Sequence, residues 1–367
     1  MERGNSFLKF LDGKIGPLLI MFLWPSKRLL PKRIPNTVKR LGLIKMAAIG
    51  DTVILSAIIS DLKSAWPGIK ITLFVGSSNF EFAKLLSGVD EVVKLPVKNP
   101  IKAVRLIRSR DLDVCIDSDS WPRISALLAF FSGAYAIGFK TPNQNRHFLF
   151  DSTLAHSNEI HELDNYRNLL KPLGVLNNSL PQDLGYSWSP NKVAPYLVFH
   201  LWPGGTKSFL KEWALENWLS LIEETLKSND VQITLTGGNE NKAANDSIIS
   251  RLPAHLAPRV RNTAGESFRS TLRVLQQSSG LVSVNTGVMH VGAALGVPTI
   301  GLHGPTNPLR WGPLGATSVS IVSTHPKAAT LNLGFEYVTE ENLMNSIPVA
   351  QVSTEIKKLI LIANSAK

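Results

Sequence analysis

Four residues with the chemistry of an anion site follow a short apolar run in the second half of the chain: Asn285, Thr286, Gly287 and His290. Asparagine and threonine are favoured helix N-caps, and a glycine lets a ligand approach the backbone. The free amides at a helix start attract negative charge, and an imidazole on the first turn could hydrogen-bond a phosphate oxygen. The pattern predicts a phosphate-binding helix start. The alternative is a plain cap, with the histidine satisfied by its surroundings.

A carboxylate, Asp51, follows the first apolar strand at the turn Gly50-Asp51, where a helix running to about residue 65 begins. Group transfer to an acceptor hydroxyl needs a base, and a carboxylate at a strand-to-helix turn could serve. The same residue could cap its helix, and the two roles can coexist.

A glycine-rich loop supplies flexible backbone, a hydroxyl and two cations through Gly204, Gly205, Thr206, Lys207 and Lys211. A departing diphosphate gathers negative charge, and fixed donors of this kind would stabilise it. The alternative is a solvated loop with ordinary surface lysines.

Three further residues are weaker candidates. Glu240, after the strand predicted at 231–236, could bind ribose hydroxyls. Arg146 and His161 could face an anionic acceptor, although histidines at irregular spacing are more often surface residues. The spacing of His156 and His161 is not that of a zinc site on a helix.

Alternating strands and helices position all of these residues. Strands are predicted at 41–46, 70–75, 91–95, 114–117, 134–138, 196–200, 231–236, 281–284 and 298–302. Such alternation predicts an α/β protein of two Rossmann-like domains with parallel sheets, whose cleft would suit two substrates. The predicted domains are 39–176 and 196–348, preceded by a segment at 1–38, joined by a connector at 177–195 and followed by a helix at 349–367.

The motifs resemble glycosyltransferase family nine, the heptosyltransferase family. Its elements D-[ST]-G-x-x-H, A-A-x-x-x-P and G-P-T-x-P match Asn285-Thr286-Gly287 with His290, Ala293-Ala294 with Pro298, and Gly304-Pro305-Thr306-Asn307-Pro308. Gly50-Asp51 resembles the family's N-terminal turn, and Lys211 before Trp213 matches its lysine before a tryptophan. Asn285 departs from the usual aspartate and removes a charge beside the expected diphosphate.

The resemblance implies the GT-B fold and an inverting glycosyltransferase that needs no cofactor or metal. The first domain would bind a lipid-linked saccharide through Gly50, Arg146 and His161, with Asp51 as base. The second would bind a nucleotide-diphosphate sugar, ADP-heptose above others, through the loop at 204–207, Lys211, Glu240 and the residues from Asn285 to His290. The helix at 349–367 would return to the first domain.

Two alternatives stay open. One is another two-Rossmann enzyme, such as an epimerase or a transferase with a different sugar nucleotide. The other, motivated by Asn285, is a family member that binds a sugar nucleotide or glycolipid without turnover. A dinucleotide-binding G-x-G-x-x-G and a P-loop are both missing from the sequence.

The charge is concentrated at the N-terminus. Residues 1–45 contain ten Lys and Arg and two acidic residues, which accounts for +8 of the net charge of +11. This segment brackets an apolar stretch too short to span a bilayer, which favours an anionic membrane surface over nucleic acid as the partner. The alternative is a helix packed on the body of the protein. One cysteine and the lack of a cleavage site favour the cytoplasm, at the inner face of the membrane.

Overall fold

The computed structural model describes residues 6–181, 184–205, 207–331 and 337–366. They form two compact units, and the division between the units falls after Pro181, inside the predicted connector. Each unit contains one six-stranded sheet in which every strand pairs in parallel.

The first unit is built around a sheet of order β3-β2-β1-β4-β5-β6. Its strands are β1 (Arg40–Lys45), β2 (Lys70–Val75), β3 (Glu91–Lys94), β4 (Val114–Asp117), β5 (Tyr135–Lys140) and β6 (Ser152–Ala155). Its helices are α1 (Ser6–Leu29), α2 (Ile49–Ala65), α3 (Phe80–Ala83), α4 (Pro100–Arg108), α5 (Arg123–Phe131) and α6 (Glu162–Asn168).

The second unit repeats the plan with the order β12-β11-β10-β7-β8-β9. Its strands are β7 (Tyr196–His200), β8 (Gln232–Thr236), β9 (Val260–Asn262), β10 (Gly280–Val284), β11 (Thr299–His303) and β12 (Ser318–Val322). Its helices are α7 (Leu215–Ser228), α8 (Lys242–Ser250), α9 (Phe268–Gln276), α10 (Gly287–Ala294), α11 (Pro308–Trp311) and α12 (Val349–Ser365).

The central strands are buried on both faces because helices cover the sheets. Every residue of β4, β10 and β11 is buried, and β1 and β2 have five buried residues after an exposed first one. Strands of this kind have nearly continuous apolar sequences. In each unit the order reverses beside the first strand of the sheet, and ligands of open α/β sheets bind at the carboxyl ends there.

The prediction of two parallel α/β sheets is confirmed, but it missed β6, β9 and β12. All three are edge strands with partly exposed residues, so their sequences lack the apolar run of a central strand. The helix predicted at the C-terminus is present as α12. It packs against α7 and β10 of the second unit, and its return to the first domain stays a prediction.

The N-terminal apolar segment forms the 24-residue helix α1, which packs against α5 and the short 3-10 helix Arg146–Leu149. Among the described residues, no helix has both the length and the apolar content needed to cross a membrane.

Candidate active site

Asp51 lies in the first turn of α2, just beyond the carboxyl end of β1. The helix begins at Ile49 with Ala48 at its N-cap, and no side chain provides a capping hydrogen bond. The simple capping role is therefore wrong for Asp51. Its side chain is 14% exposed, so the carboxylate is partly shielded yet still open to a reactant.

Two side chains approach this carboxylate from within the first unit. The hydroxyl of Tyr166 donates a hydrogen bond to Oδ1 over 3.4 Å, and Nζ of Lys45 lies 4.0 Å from the same oxygen. Lys45 also lies 3.2 Å from Asp119 and above the ring of Tyr166, 5.2 Å from its centroid. Asp51 is thus the more exposed of two carboxylates that share one buried cation.

Lys45 is held as a cation by its acidic neighbours. Burial by itself would lower the pKa of Lys45, but the charges of Asp51, Asp119 and Glu162 outweigh burial and raise it. Sequence analysis missed this lysine, although a charged residue that ends an otherwise apolar strand was a usable signal.

Arg146 is placed differently from the prediction that it contacts the acceptor. Its side chain is fully buried and forms an ion pair with Asp117, while it also donates to the carbonyl of Asp119 and to Ser125. Burial raises the pKa of Asp117, and the charge of Arg146 opposes this effect. Arg146 therefore positions the loop that contains Asp119 instead of presenting a charge to a ligand.

The other residues predicted near the acceptor have structural contacts. Gly50 is buried in the first turn of α2. His161 is the N-cap of α6, where Nδ1 accepts a hydrogen bond from the backbone N–H of Leu163 over 3.1 Å. His161 is therefore held by its own helix, and an acceptor contact stays a prediction.

A basic cavity of about 460 Å³ lies beyond the carboxyl ends of β2 and β3. Strand β2 neighbours β1 in the parallel sheet, so this cavity and Asp51 occupy the same edge of it. Its residues were not predicted from the sequence, because three lysines within nine positions are typical of any solvated surface. The lining includes Ser77, Lys94, Pro96, Lys98 and Lys102.

The predicted helix start is present in the second unit. Thr286 is the N-cap of α10, its hydroxyl accepts from the backbone N–H of Val288 over 3.1 Å, and Gly287 is the first helical residue. The amide of Asn285 donates to the carbonyl of Trp311 over 2.9 Å, so it ties the helix start to α11. His290 is largely buried one turn into the helix.

The glycine loop after β7 is stabilised by its own lysines. Nζ of Lys211 donates to the carbonyl of Gly204 over 2.8 Å, and Lys207 pairs with Glu340 over 2.6 Å. Gly205 has a φ of 98°, which favours glycine. Lys211 lies in a short 3-10 helix, and Trp213 precedes α7 instead of lying within it. Strands β7 and β10 are neighbours, so this loop and the start of α10 follow adjacent strands.

Glu240 and Thr206 are the remaining residues predicted to bind the donor. Glu240 lies exposed in the short 3-10 helix Asn239–Asn241, after β8 and next to the same edge. Thr206 lies outside the described residues. Within the described ranges, no three His, Cys, Asp or Glu side chains are arranged to hold a metal ion.

Two neutral histidines end strands at this edge. Burial lowers the pKa of His200 to about 4 and that of His303 to about 3. Their Nδ1 atoms lie within hydrogen-bond distance of Thr236 and Thr306, at 2.8 and 3.1 Å. They stiffen the strand ends without adding charge.

The fold defines the class of protein. The solved structure of Escherichia coli ADP-heptose LPS heptosyltransferase II superposes with a TM-score of 0.71 at 19% identity, covering 89% of this chain and 100% of that one. The structure of E. coli heptosyltransferase WaaC with ADP gives 0.71 at 20% identity, covering 87% and 99%. The molecule has the GT-B fold of nucleotide-sugar glycosyltransferases.

The sequence defines the family. The model of glycosyltransferase family 9 (heptosyltransferase) matches residues 101–334, and the chain belongs to this family. Lipopolysaccharide heptosyltransferase 1 of E. coli K12 is 26% identical over 82% of this chain and 98% of its own length. Lipopolysaccharide core heptosyltransferase OpsX of Haemophilus influenzae is 22% identical over 88% and 97%. The protein is therefore a glycosyltransferase.

Proposed function

We propose that the protein transfers heptose from ADP-heptose to the core of a lipopolysaccharide or a related surface glycan, with inversion at the anomeric carbon. The names of its relatives in E. coli and H. influenzae supply the donor and acceptor class. The observation that carries the mechanism is the partly open carboxylate of Asp51, held against Lys45 and Tyr166.

The reaction is a single displacement. The acceptor hydroxyl gives its proton to the Asp51 carboxylate as its oxygen attacks the anomeric carbon, and the bond from that carbon to the diphosphate breaks. ADP leaves with the electron pair of the broken bond. Lys45 stabilises the ionised base before the reaction, and the hydrogen bond from Tyr166 orients it.

The leaving diphosphate fits the second unit. The amides at the start of α10, with Thr286, Gly287 and His290, face developing negative charge, and Lys211 and the loop from Gly204 supply further donors. Asn285 stabilises this turn through Trp311 without bringing a second negative charge to the phosphates. Under this proposal the positive groups take the place of a metal ion.

The acceptor fits the edge of the first sheet. Its anionic groups would bind the basic cavity formed by Lys94, Lys98 and Lys102, beside the strand that leads to Asp51. We place the protein in the cytoplasm, peripheral to the inner face of the membrane, because the charge of residues 1–45 favours an anionic surface.

Binding and turnover test the proposal together. Calorimetric titration with ADP-heptose and with UDP-, GDP- and dTDP-linked sugars should show a preference for ADP-heptose. Transfer should continue in EDTA. Asp51→Asn should lower kcat by roughly 10²- to 10⁴-fold with donor binding unchanged, whereas Asp111→Asn changes an exposed carboxylate and should have no effect.

Each other outcome points elsewhere. Preference for a different donor would change the proposed sugar but not the proposed base. Full activity of Asp51→Asn would show that Asp51 is not the base. Binding without turnover, with every acceptor offered, would favour the non-catalytic alternative.

A further inference from the structure

The two faces of helix α1 have different environments. One face packs on the first unit, where Ile20 is completely buried and Gly16 lies against the side chain of Arg123. The other face is apolar and exposed. The N-terminal segment is therefore a helix packed on the body of the protein, and the same helix keeps an exposed face for a surface.

The inner face is fixed near both ends of the helix. The carboxylate of Asp12 accepts hydrogen bonds from the backbone N–H groups of Arg123 and Ile124, over 3.2 and 2.9 Å, at the start of α5. Lys27 forms a 2.5 Å ion pair with Asp151, and both side chains are at least nine-tenths buried. The fifteen residue steps from Asp12 to Lys27 span about 22 Å at 1.5 Å per residue, so α1 cannot pivot about a single contact.

The outer face is a continuous apolar stripe. Ile15, Leu18, Phe22 and Leu29 follow one another at helical spacing and are 44, 67, 81 and 78% exposed. Met21 and Leu19 widen the stripe, at 61 and 43%. Soluble monomers seldom leave such a patch open unless it binds something.

The charge around the stripe selects the partner. Lys14 and Arg28 are exposed on the same helix, and the exposed Arg33 follows it in the chain. Asp12, the acidic residue of this helix, is bonded to the start of α5. A second copy of the chain would bring two such basic segments together, which Coulomb repulsion opposes. An anionic lipid surface matches both the apolar stripe and the positive charge.

Contacts connect this helix to the edge that bears the candidate base. Asp12 holds the start of α5, and Ser125 of α5 accepts a hydrogen bond from Arg146 over 3.1 Å. Arg146 in turn holds the carbonyl of Asp119, the residue that pairs with Lys45. Because these contacts join α1 to the sheet edge, the direction in which α1 lies on a surface sets the direction in which this edge faces.

We propose that α1 lies in the plane of an anionic bilayer with its outer face in the lipid, and that the contacts of Asp12 and Lys27 make it a rigid platform that orients the first unit toward a membrane-borne acceptor. The orienting role rests on the proposed function. Lipid binding itself does not.

The outer face is tested with vesicles. The full-length protein should bind vesicles of phosphatidylglycerol and phosphatidylcholine and bind phosphatidylcholine alone weakly. Leu18→Glu/Phe22→Glu should weaken that binding at least about tenfold. The control Leu176→Glu/Val193→Glu makes the same charge change at exposed apolar residues elsewhere and should bind like the wild type.

The platform is tested by loosening its ends. Asp12→Asn/Lys27→Gln should keep vesicle binding within about twofold and lose transfer to an acceptor embedded in vesicles, while transfer to the same acceptor dispersed in detergent is kept. Equal rates with the wild type in both formats would mean a flexible tether and overturn the platform.

The remaining outcomes separate the two proposals. Unchanged vesicle binding by Leu18→Glu/Phe22→Glu would overturn the lipid surface, as would a wild-type dimer that this change dissociates. If Leu18→Glu/Phe22→Glu loses lipid binding and the wild type shows no transfer in any format, the lipid-binding surface stands and the proposed function is rejected.

Discussion

Lys45 is the residue on which the arrangement around Asp51 depends. It is 5% exposed, and Asp51 and Asp119 both lie within ion-pair distance of its Nζ. A buried cation that serves two carboxylates cannot be removed without leaving their charges uncompensated. The lysine is therefore a structural requirement of the first unit and, under the proposed function, a requirement for turnover.

Replacing this lysine should reduce stability and turnover together. Lys45→Met should lower the free energy of unfolding by about 3 to 5 kcal/mol, the usual cost of breaking a buried pair. It should also lower kcat at least about tenfold, because the base loses its fixed counter-charge. Urea denaturation and steady-state transfer measure the two effects. Lys39→Met, a change at an exposed lysine just before β1, is the control, and equal stability of the two variants would contradict the inferred role.

At this scale, sequence patterns found the residues whose position along the chain fixes their role. Asp51 lies in the first turn of the helix after an apolar strand, and Thr286 caps the helix after another, so strand and helix-start signals predicted both positions. The partners of Arg146 and Lys45 were beyond such reasoning. The burial of Arg146 against Asp117 and the pairing of Lys45 with Asp119 bring together residues far apart in sequence, and no local pattern records which distant partner a charge will meet.

At the scale of elements, the turn from β1 to α2 is held by a close backbone contact. Gly76 follows β2, and a Cβ on it would run into the carbonyl oxygen of Met46, at the end of β1. Backbone cannot move aside as a long side chain can. Only glycine therefore lets the two strand ends approach and keeps the turn that carries Asp51 in place.

Adding one methyl group at this contact should displace the turn. Gly76→Ala should cost about 1 to 3 kcal/mol of stability through overpacking and lower the rate of transfer with little effect on donor binding. Gly68→Ala, at the other end of β2, meets no heavy atom within 4 Å and should stay within about 0.5 kcal/mol of the wild type. Thermal denaturation, calorimetry and initial rates separate these outcomes, and a fully active Gly76→Ala would show that the turn tolerates the shift.

The elements that sequence reasoning placed well are those that depend on their own residues. Three predicted strands, β2, β4 and β7, have the observed bounds, since each is a run of apolar residues buried on both faces. The edge strand β12 has only one buried residue of five. Its strand conformation depends on its pairing with β11, because its own sequence lacks an apolar run. Edge strands are recognised through their neighbours, which a single sequence does not show.

At the scale of the whole molecule, buried neutral histidines link stability to pH. His200 and His303 have folded-state pKa values of about 4 and 3, because burial disfavours their charged forms. In the unfolded chain a histidine titrates near 6.5. Between these values the unfolded state binds protons that the folded state refuses, so stability is complete above about pH 6.5 and is lost as the pH falls toward 4.

The slope of this loss is the measurable quantity. Each histidine should contribute up to about 1.4 kcal/mol per pH unit to the fall in the free energy of unfolding between pH 6.5 and 4. His303→Gln should reduce the slope by that amount, and His200→Gln should do the same because its ring is buried as well. His255→Gln changes an exposed histidine and should leave the slope as it is. Urea titrations at half-unit pH intervals, followed by hydrogen exchange of the backbone amides of β7 and β11, report the unit that contains both histidines. A slope that survives both buried substitutions would mean that titratable groups other than these two histidines cause the acid sensitivity.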